Sequence, residues 1–99
     1  MFKVGDRIVL TEESRRHCNI FDEHPGDIAT VIGVSQVTNE HGCECAYKCV
    51  LEFDRCIGGH NGLIDARGKN GHCVIYWLYL TRWDKYFRKI QIKRKNNYY

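Results

Sequence analysis

Proline occurs once, at Pro25, and the longest apolar run is Val74–Leu80. Such a run falls well short of the ~20 residues that cross a bilayer as a helix, so no membrane-spanning helix is expected. The opening Met1-Phe2-Lys3-Val4-Gly5-Asp6 has no apolar stretch of signal-peptide type, and a cytoplasmic chain is the expectation. Catalytic signatures are missing as well. There is no His-Glu-x-x-His and no nucleophile elbow, and Gly68-Lys69-Asn70-Gly71 lacks the spacing of a phosphate-binding loop. A Cys73–His60–Asp65 constellation can be drawn, but several others can be drawn equally well, and adjacency along a chain is not hydrogen-bond geometry. The expectation is a non-enzymatic protein.

What is present is a globular composition. Ninety-nine residues make one domain, and 43% hydrophobic residues supply a real core without staples. Six cysteines (Cys18, Cys43, Cys45, Cys49, Cys56 and Cys73) and five histidines raise the question of metal. Zinc sites favour paired thiolates a short turn apart. Cys45 and Cys49 are spaced by three residues, but the intervening Ala-Tyr-Lys reads as strand. Free cysteines otherwise behave as small buried apolar residues. No cofactor is expected. A zinc-stabilised structural domain stays open as an alternative, with Cys43, Cys45, Cys49 and Cys56 as candidate ligands.

Charge is distributed unevenly. Residues 1–81 carry a net −3, whereas residues 82–99 carry +6. Eight of the twelve aromatic residues lie between Tyr76 and Tyr99. A mildly acidic body ending in a basic, aromatic segment points to a polyanion or to an acidic protein surface. Cations would meet phosphates or carboxylates, and flat rings would stack on bases or fill a partner's pocket. The candidate contact residues are Arg82, Trp83, Lys85, Tyr86, Phe87, Arg88, Lys89, Lys93, Arg94 and Lys95.

The pattern along the chain is that of short strands. Gly5-Asp6 is a turn, followed by a strand over Ile8–Thr11. Glu12–Asp27 has no sustained period and reads as a long early loop. Ile28–Val34 is the clearest strand, with Ile28, Thr30 and Ile32 on one face and Ala29 and Val31 on the other, which predicts burial on both sides, and with a bulge or bend marked by Gly33. Asn39–Gly42 is a hairpin tip. Tyr47–Asp54 returns, with Tyr47, Cys49, Leu51 and Phe53 on one face and Lys48 and Glu52 on the other. Ile57–His72 holds five glycines, which excludes a helix and predicts a long loop. Cys73–Tyr76 is a further strand, and Trp77–Leu80 a turn or strand that closes a barrel. Beyond it, the spacing predicts a helical turn over 82–88 and a strand over 89–94, with the last residues frayed.

Val4-Gly5-Asp6-Arg7-Ile8-Val9 followed by Gly26-Asp27-Ile28-Ala29-Thr30-Val31-Ile32 resembles the opening of SH3-like barrels. It is similar to the KOW-type motif, with Ala29 where that motif has its second glycine. Gly59-His60-Asn61-Gly62 and Gly71-His72-Cys73 resemble segments of small SH3-like proteins of bacteriophages. The likeness covers roughly residues 2–81. It implies a mainly all-β fold: a small SH3-like barrel of about five strands with a long early loop, a Gly/His-rich loop and a basic C-terminal extension. The expected division is a barrel over 1–81 and an extension over 82–99, packed on the barrel or projecting from it. His60, Asn61 and His72 are candidate contacts on the loop, because loops on rigid barrels often carry function.

Three functions follow. The first is docking on a host protein with an acidic or nucleic-acid-binding groove, as an inhibitor of a host defence nuclease would do, in the host cytosol. The second is nucleic-acid binding of KOW type. The third is the zinc-stabilised domain. The acidic body disfavours a nucleic acid wrapped around it, which puts the protein partner first.

Overall fold

A computed structural model of the protein describes residues 2–16, 20–38, 45–79 and 83–90. It is mainly β, as expected. The strands are β1 (Arg7–Leu10), β2 (Ile28–Thr38), β3 (Cys45–Phe53), β4 (Gly62–Leu63), β5 (Ala66–Arg67), β6 (Cys73–Tyr79) and β7 (Phe87–Lys89). A 3-10 helix spans Glu12–Arg16 in the early loop, and a single helical turn, α1 (Trp83–Tyr86), precedes β7. Five strands form one antiparallel sheet in the order β6-β3-β2-β1-β7. Strands β4 and β5 form a separate hairpin.

Alternation decides which side chains are buried. A strand's side chains face opposite sides with period two. Ala29 and Val31 of β2, Cys49, Leu51 and Phe53 of β3, and Val74 and Tyr76 of β6 all turn to one face. Ile8 and Leu10 of β1 join them, and Phe2, Ile57, Tyr86 and Phe87 complete the core. The β2–β3 register shifts between Val31 and Gly33, so Ile32 is an extra residue at the position where Gly33 signals a bend. Bulges of this kind increase local twist and bend the strand. After the shift Gly33 pairs with Val50 on the opposite face of the sheet, and the β4–β5 hairpin lies over both. A Cβ placed on Gly33 would come within 2.8 Å of the Ala66 Cβ, so only glycine admits the hairpin at this distance. Val50 is accordingly 2% exposed although it faces away from the main core.

The curl brings side chains from the two sheet rims together. The Tyr76 ring of β6 lies 5.5 Å from the Phe87 ring of β7, and Phe2 meets Phe87 edge-on at 6.0 Å. No ladder joins β6 to β7 among the described residues.

Several boundaries differ from the sequence expectation. β2 runs to Thr38, beyond the expected end at Val34, because its pairing with β3 continues through these residues. The Ile57–His72 segment contains the β4–β5 hairpin, with Ile64 and Asp65 at its tip. β6 continues through Tyr79 rather than turning at Trp77. The helical turn ends at Tyr86 and the strand begins at Phe87, since burying Phe87 requires the extended pairing with β1. Residues 87–89 thus extend the sheet itself. The hairpin tip Asn39–Gly42 and the strand expected over residues 91–94 lie outside the described residues.

Phe87→Ala should remove a ring that is 1% exposed and touches both Phe2 and Tyr76. A loss of about 3–5 kcal/mol is expected in urea unfolding, as for a large aromatic truncated in a core.

Candidate interaction surface

The basic segment is positioned by β1. Val9 pairs with Arg88 and Ile8 with Lys89, and Ile90 N–H donates to Arg7 O at 2.8 Å. Thr11 ties in the turn above: its N–H donates to Tyr86 O at 3.0 Å and its hydroxyl donates to Lys85 O. Ser14 is buried beneath and donates its hydroxyl back to Thr11 O at 2.6 Å. These bonds fix the direction of each basic side chain. Lys85, Arg88 and Lys89 are exposed.

One of these cations is anchored. Lys89 Nζ lies 3.4 Å from Asp6 Oδ2, and Lys3 N–H donates to the same oxygen at 3.0 Å. Burial pushes the Asp6 carboxyl up, but the Lys3 N–H and the Lys89 ammonium outweigh it and hold the pKa below its ordinary value. Lys85 and Arg88 form no ion pair among the described residues.

Tyr86 and Phe87 correct the sequence expectation. They were candidate stacking residues, but they are 5% and 1% exposed and belong to the core. The cause is alternation: with Arg88 outward, Phe87 must turn inward against Phe2 and Tyr76. Trp83 falls in α1. Arg82, Lys93, Arg94 and Lys95 lie outside the described residues.

The Gly/His loop is internally bonded. His60 Nδ1 accepts the Gly62 N–H at 2.9 Å, and the His60 backbone bridges to Cys73. His72 Nδ1 donates to Phe53 O at 2.8 Å. Asn61 is exposed and its carbonyl accepts the Gly68 N–H at 3.0 Å. Both imidazoles are therefore half-buried loop struts on one of their nitrogens.

Of the four cysteines named as candidate ligands, Cys49 and Cys56 have described side chains. Cys49 is fully buried in the core, where burial pushes its thiol up to about 12, far from the thiolate a metal needs. Cys56 is exposed in the loop after β3, with its thiol near Gly71 O at 3.5 Å. Cys45 lies on β3, and Cys43 is outside the described residues. Among the described residues no three His, Cys, Asp or Glu side chains are placed to hold a metal ion. No described helix is long and apolar enough to cross a membrane.

Three polar clamps went unnoticed in the sequence. Arg55 makes a forked contact with Asp27, 3.0 Å and 2.6 Å, and reaches Asp22 Oδ2 at 3.4 Å. Burial pushes Asp27 up, yet the Arg55 guanidinium and the His24 N–H prevail and lower its pKa. Arg7 forks onto Asp54 at 2.6 and 2.7 Å and lowers that carboxyl too. Together they bind the early loop and β1 to the turn after β3. Glu23 is a third: it is 4% exposed and accepts from the Phe21 N–H and the Tyr76 hydroxyl. The only sequence signal was that each acid sits in a loop whose partner is some 28 to 53 positions distant. A groove of about 190 Å³ on the outer face, between Val4, Val34, Val50, Leu63 and Ala66, was equally unforeseen.

With this geometry in hand, the chain matches no family model, no curated protein and no solved structure.

Asp27→Asn should cost about 1 kcal/mol at neutral pH, discounted for the partial exposure of Arg55. A carboxyl held below its unfolded value stabilises the fold above the ordinary pKa of 3.8 and loses that effect as pH falls through the folded value. The parent protein should therefore lose stability steeply below pH 3.8, and urea melts of Asp27→Asn should show a shallower acid loss.

Proposed function

We propose that this chain is a non-enzymatic binding module that docks on an acidic surface of a host protein through the basic rim formed by α1 and β7. The observation that carries the reading is the division of labour within Lys85–Lys89: the aromatic rings are buried and the cations are exposed. Single-stranded nucleic acid is held by charge together with open stacking faces. Tyr86 and Phe87 offer no such face, which favours a protein partner over nucleic acid. Rim charges of this kind steer encounter and set specificity, while the affinity comes from apolar contacts at the centre of an interface. The finer reading, inhibition of a host defence nuclease by a phage-type protein, rests on the resemblance of the Gly-His segments.

The test uses the double reversal Lys85→Glu with Arg88→Glu, which spares the Lys89–Asp6 pair. Its expected effect on a host partner isolated with the parent protein is a rise in Kd of about tenfold or more, or about 1.4 kcal/mol, read by calorimetry across a salt series. Fluorescence anisotropy with single- and double-stranded oligonucleotides should show no tight binding. Tight oligonucleotide binding with a steep salt slope, abolished by the double reversal, would replace the protein reading with the nucleic-acid one.

A further inference from the structure

The two rims of the sheet differ in chemistry. β7 has three residues and exposes Arg88 and Lys89. Charge on a short edge strand discourages pairing with another strand. β6 has neither protection. It runs for seven residues, Cys73–Tyr79, with no charged residue, no proline and no register shift against β3.

The direction of its backbone groups is settled by the ladder. Phe53 N–H donates to His72 O at 2.8 Å, and Glu52 is opposite Cys73. Bonded and non-bonded pairs alternate in an antiparallel ladder. His72, Val74, Tyr76 and Leu78 thus turn their backbone groups toward β3, and Cys73, Ile75, Trp77 and Tyr79 turn theirs away. Cys73 fixes the phase independently: its N–H and C=O both bond His60, at 3.0 and 2.9 Å, on the side away from β3. Beyond that bridge no strand pairs with the outer side of β6 among the described residues. Ile75, Trp77 and Tyr79 each present one donor and one acceptor there.

We propose that this rim is a homodimer interface, in which β6 of a second copy pairs antiparallel about a two-fold axis through Trp77. The occupant follows from the spacing. Centred on Trp77, the register sets Ile75 opposite Tyr79, Trp77 opposite itself and Tyr79 opposite Ile75, so every outward group of each copy meets a counterpart. Centred on Tyr76, it would set Tyr79 opposite Cys73, whose groups His60 already holds. A symmetric pair of this kind is self-complementary by construction. Charge agrees: two copies of net +3 repel through their basic rims, whereas the β6 rim brings no charged residue together. The interface uses the backbone edge of β6, whereas the proposed docking surface uses the exposed cations of α1 and β7, so the two rest on different strands.

Sedimentation and amide hydrogen exchange of the full chain, from micromolar to millimolar concentration, test this. The expected result is a shift from monomer to dimer mass. Exchange at Ile75, Trp77 and Tyr79 should slow by about tenfold or more with concentration, as their amides become bonded, while Arg88 and Lys89 are unaffected. In a mixed-label sample the Tyr76 and Leu78 Hα protons of different copies should be in contact, since they form the close non-bonded pair. Trp77→Lys sets like charges directly opposite across the axis and should weaken association by about tenfold or more. If circular dichroism shows that this variant does not fold, Tyr79→Pro removes an outward N–H at the strand end and should have the same effect. A monomer at every concentration overturns the proposal. So does a dimer, or a bound heterologous strand, that leaves the Ile75, Trp77 and Tyr79 amides exchanging as in the monomer.

Discussion

The Phe87 ring sits where the curl of the sheet must close. One rim of the sheet contributes Tyr76 and the other contributes Phe87, and their rings meet at 5.5 Å with Phe2 against the far edge of Phe87. A five-stranded sheet left flat would expose the face that carries Ile8, Val31, Leu51 and Phe53. Bringing its rims together by side chains removes that face from water, with no hydrogen-bonded seam between β6 and β7 among the described residues. The segment after β6 therefore has to return to β1, and the 3-10 helix, Thr11 and Ser14 exist as the bracket that holds it there. The Tyr86 and Phe87 side chains used for this purpose are buried, which leaves Lys85, Arg88 and Lys89 as the exposed side chains of that stretch.

The outer face is managed by a different device. An extra residue at Ile32 shifts the parity of β2, and Gly33 then leaves room for Ala66 of the β4–β5 hairpin. The hairpin buries Val50 and forms one wall of the outer groove. The remainder of the long loops is held by ion pairs, by histidines bonded to backbone and by Ile57, which anchors the loop after β3 in the core. Arg55 and Arg7 each fork onto a carboxylate from a distant loop, which makes loop placement sensitive to acid while the core is not. The sheet's rims end up unequal in chemistry, one short and cationic, the other long and neutral.

Much of this was legible beforehand. Alternation in Tyr47–Asp54 placed Cys49, Leu51 and Phe53 on one face. Alternation in Ile28–Val34 separated Ala29 and Val31 from Ile28, Thr30 and Ile32, but with apolar residues on both faces it was the packing that decided for Ala29 and Val31. Gly33 marked the bend, because a strand interior keeps a glycine only where something approaches. The candidate surface was legible in part. Lys85, Arg88 and Lys89 are exposed as composition suggested, but Tyr86 and Phe87 carry the same local signal as ligand-stacking rings and differ from them only in what lies opposite. The cysteines were ambiguous in the same way, since a thiol spacing does not say whether a strand buries one of its members.

Local chemistry by itself determined the β class, the long early loop, the alternating faces of the central strands and the concentration of positive charge near the end of the chain. These follow from propensity, turn residues and periodicity, all of which act over a few positions. The tertiary structure alone decided that β7 joins β1, that Arg55 answers Asp27 and Asp22, that Glu23 lies under the Tyr76 hydroxyl, and that one rim of the sheet is left uncharged. Each of those depends on contacts between residues far apart in sequence, and such contacts form only where the curl of the sheet makes burial of the shared surface worth more than the chain entropy lost in closing the loops between them.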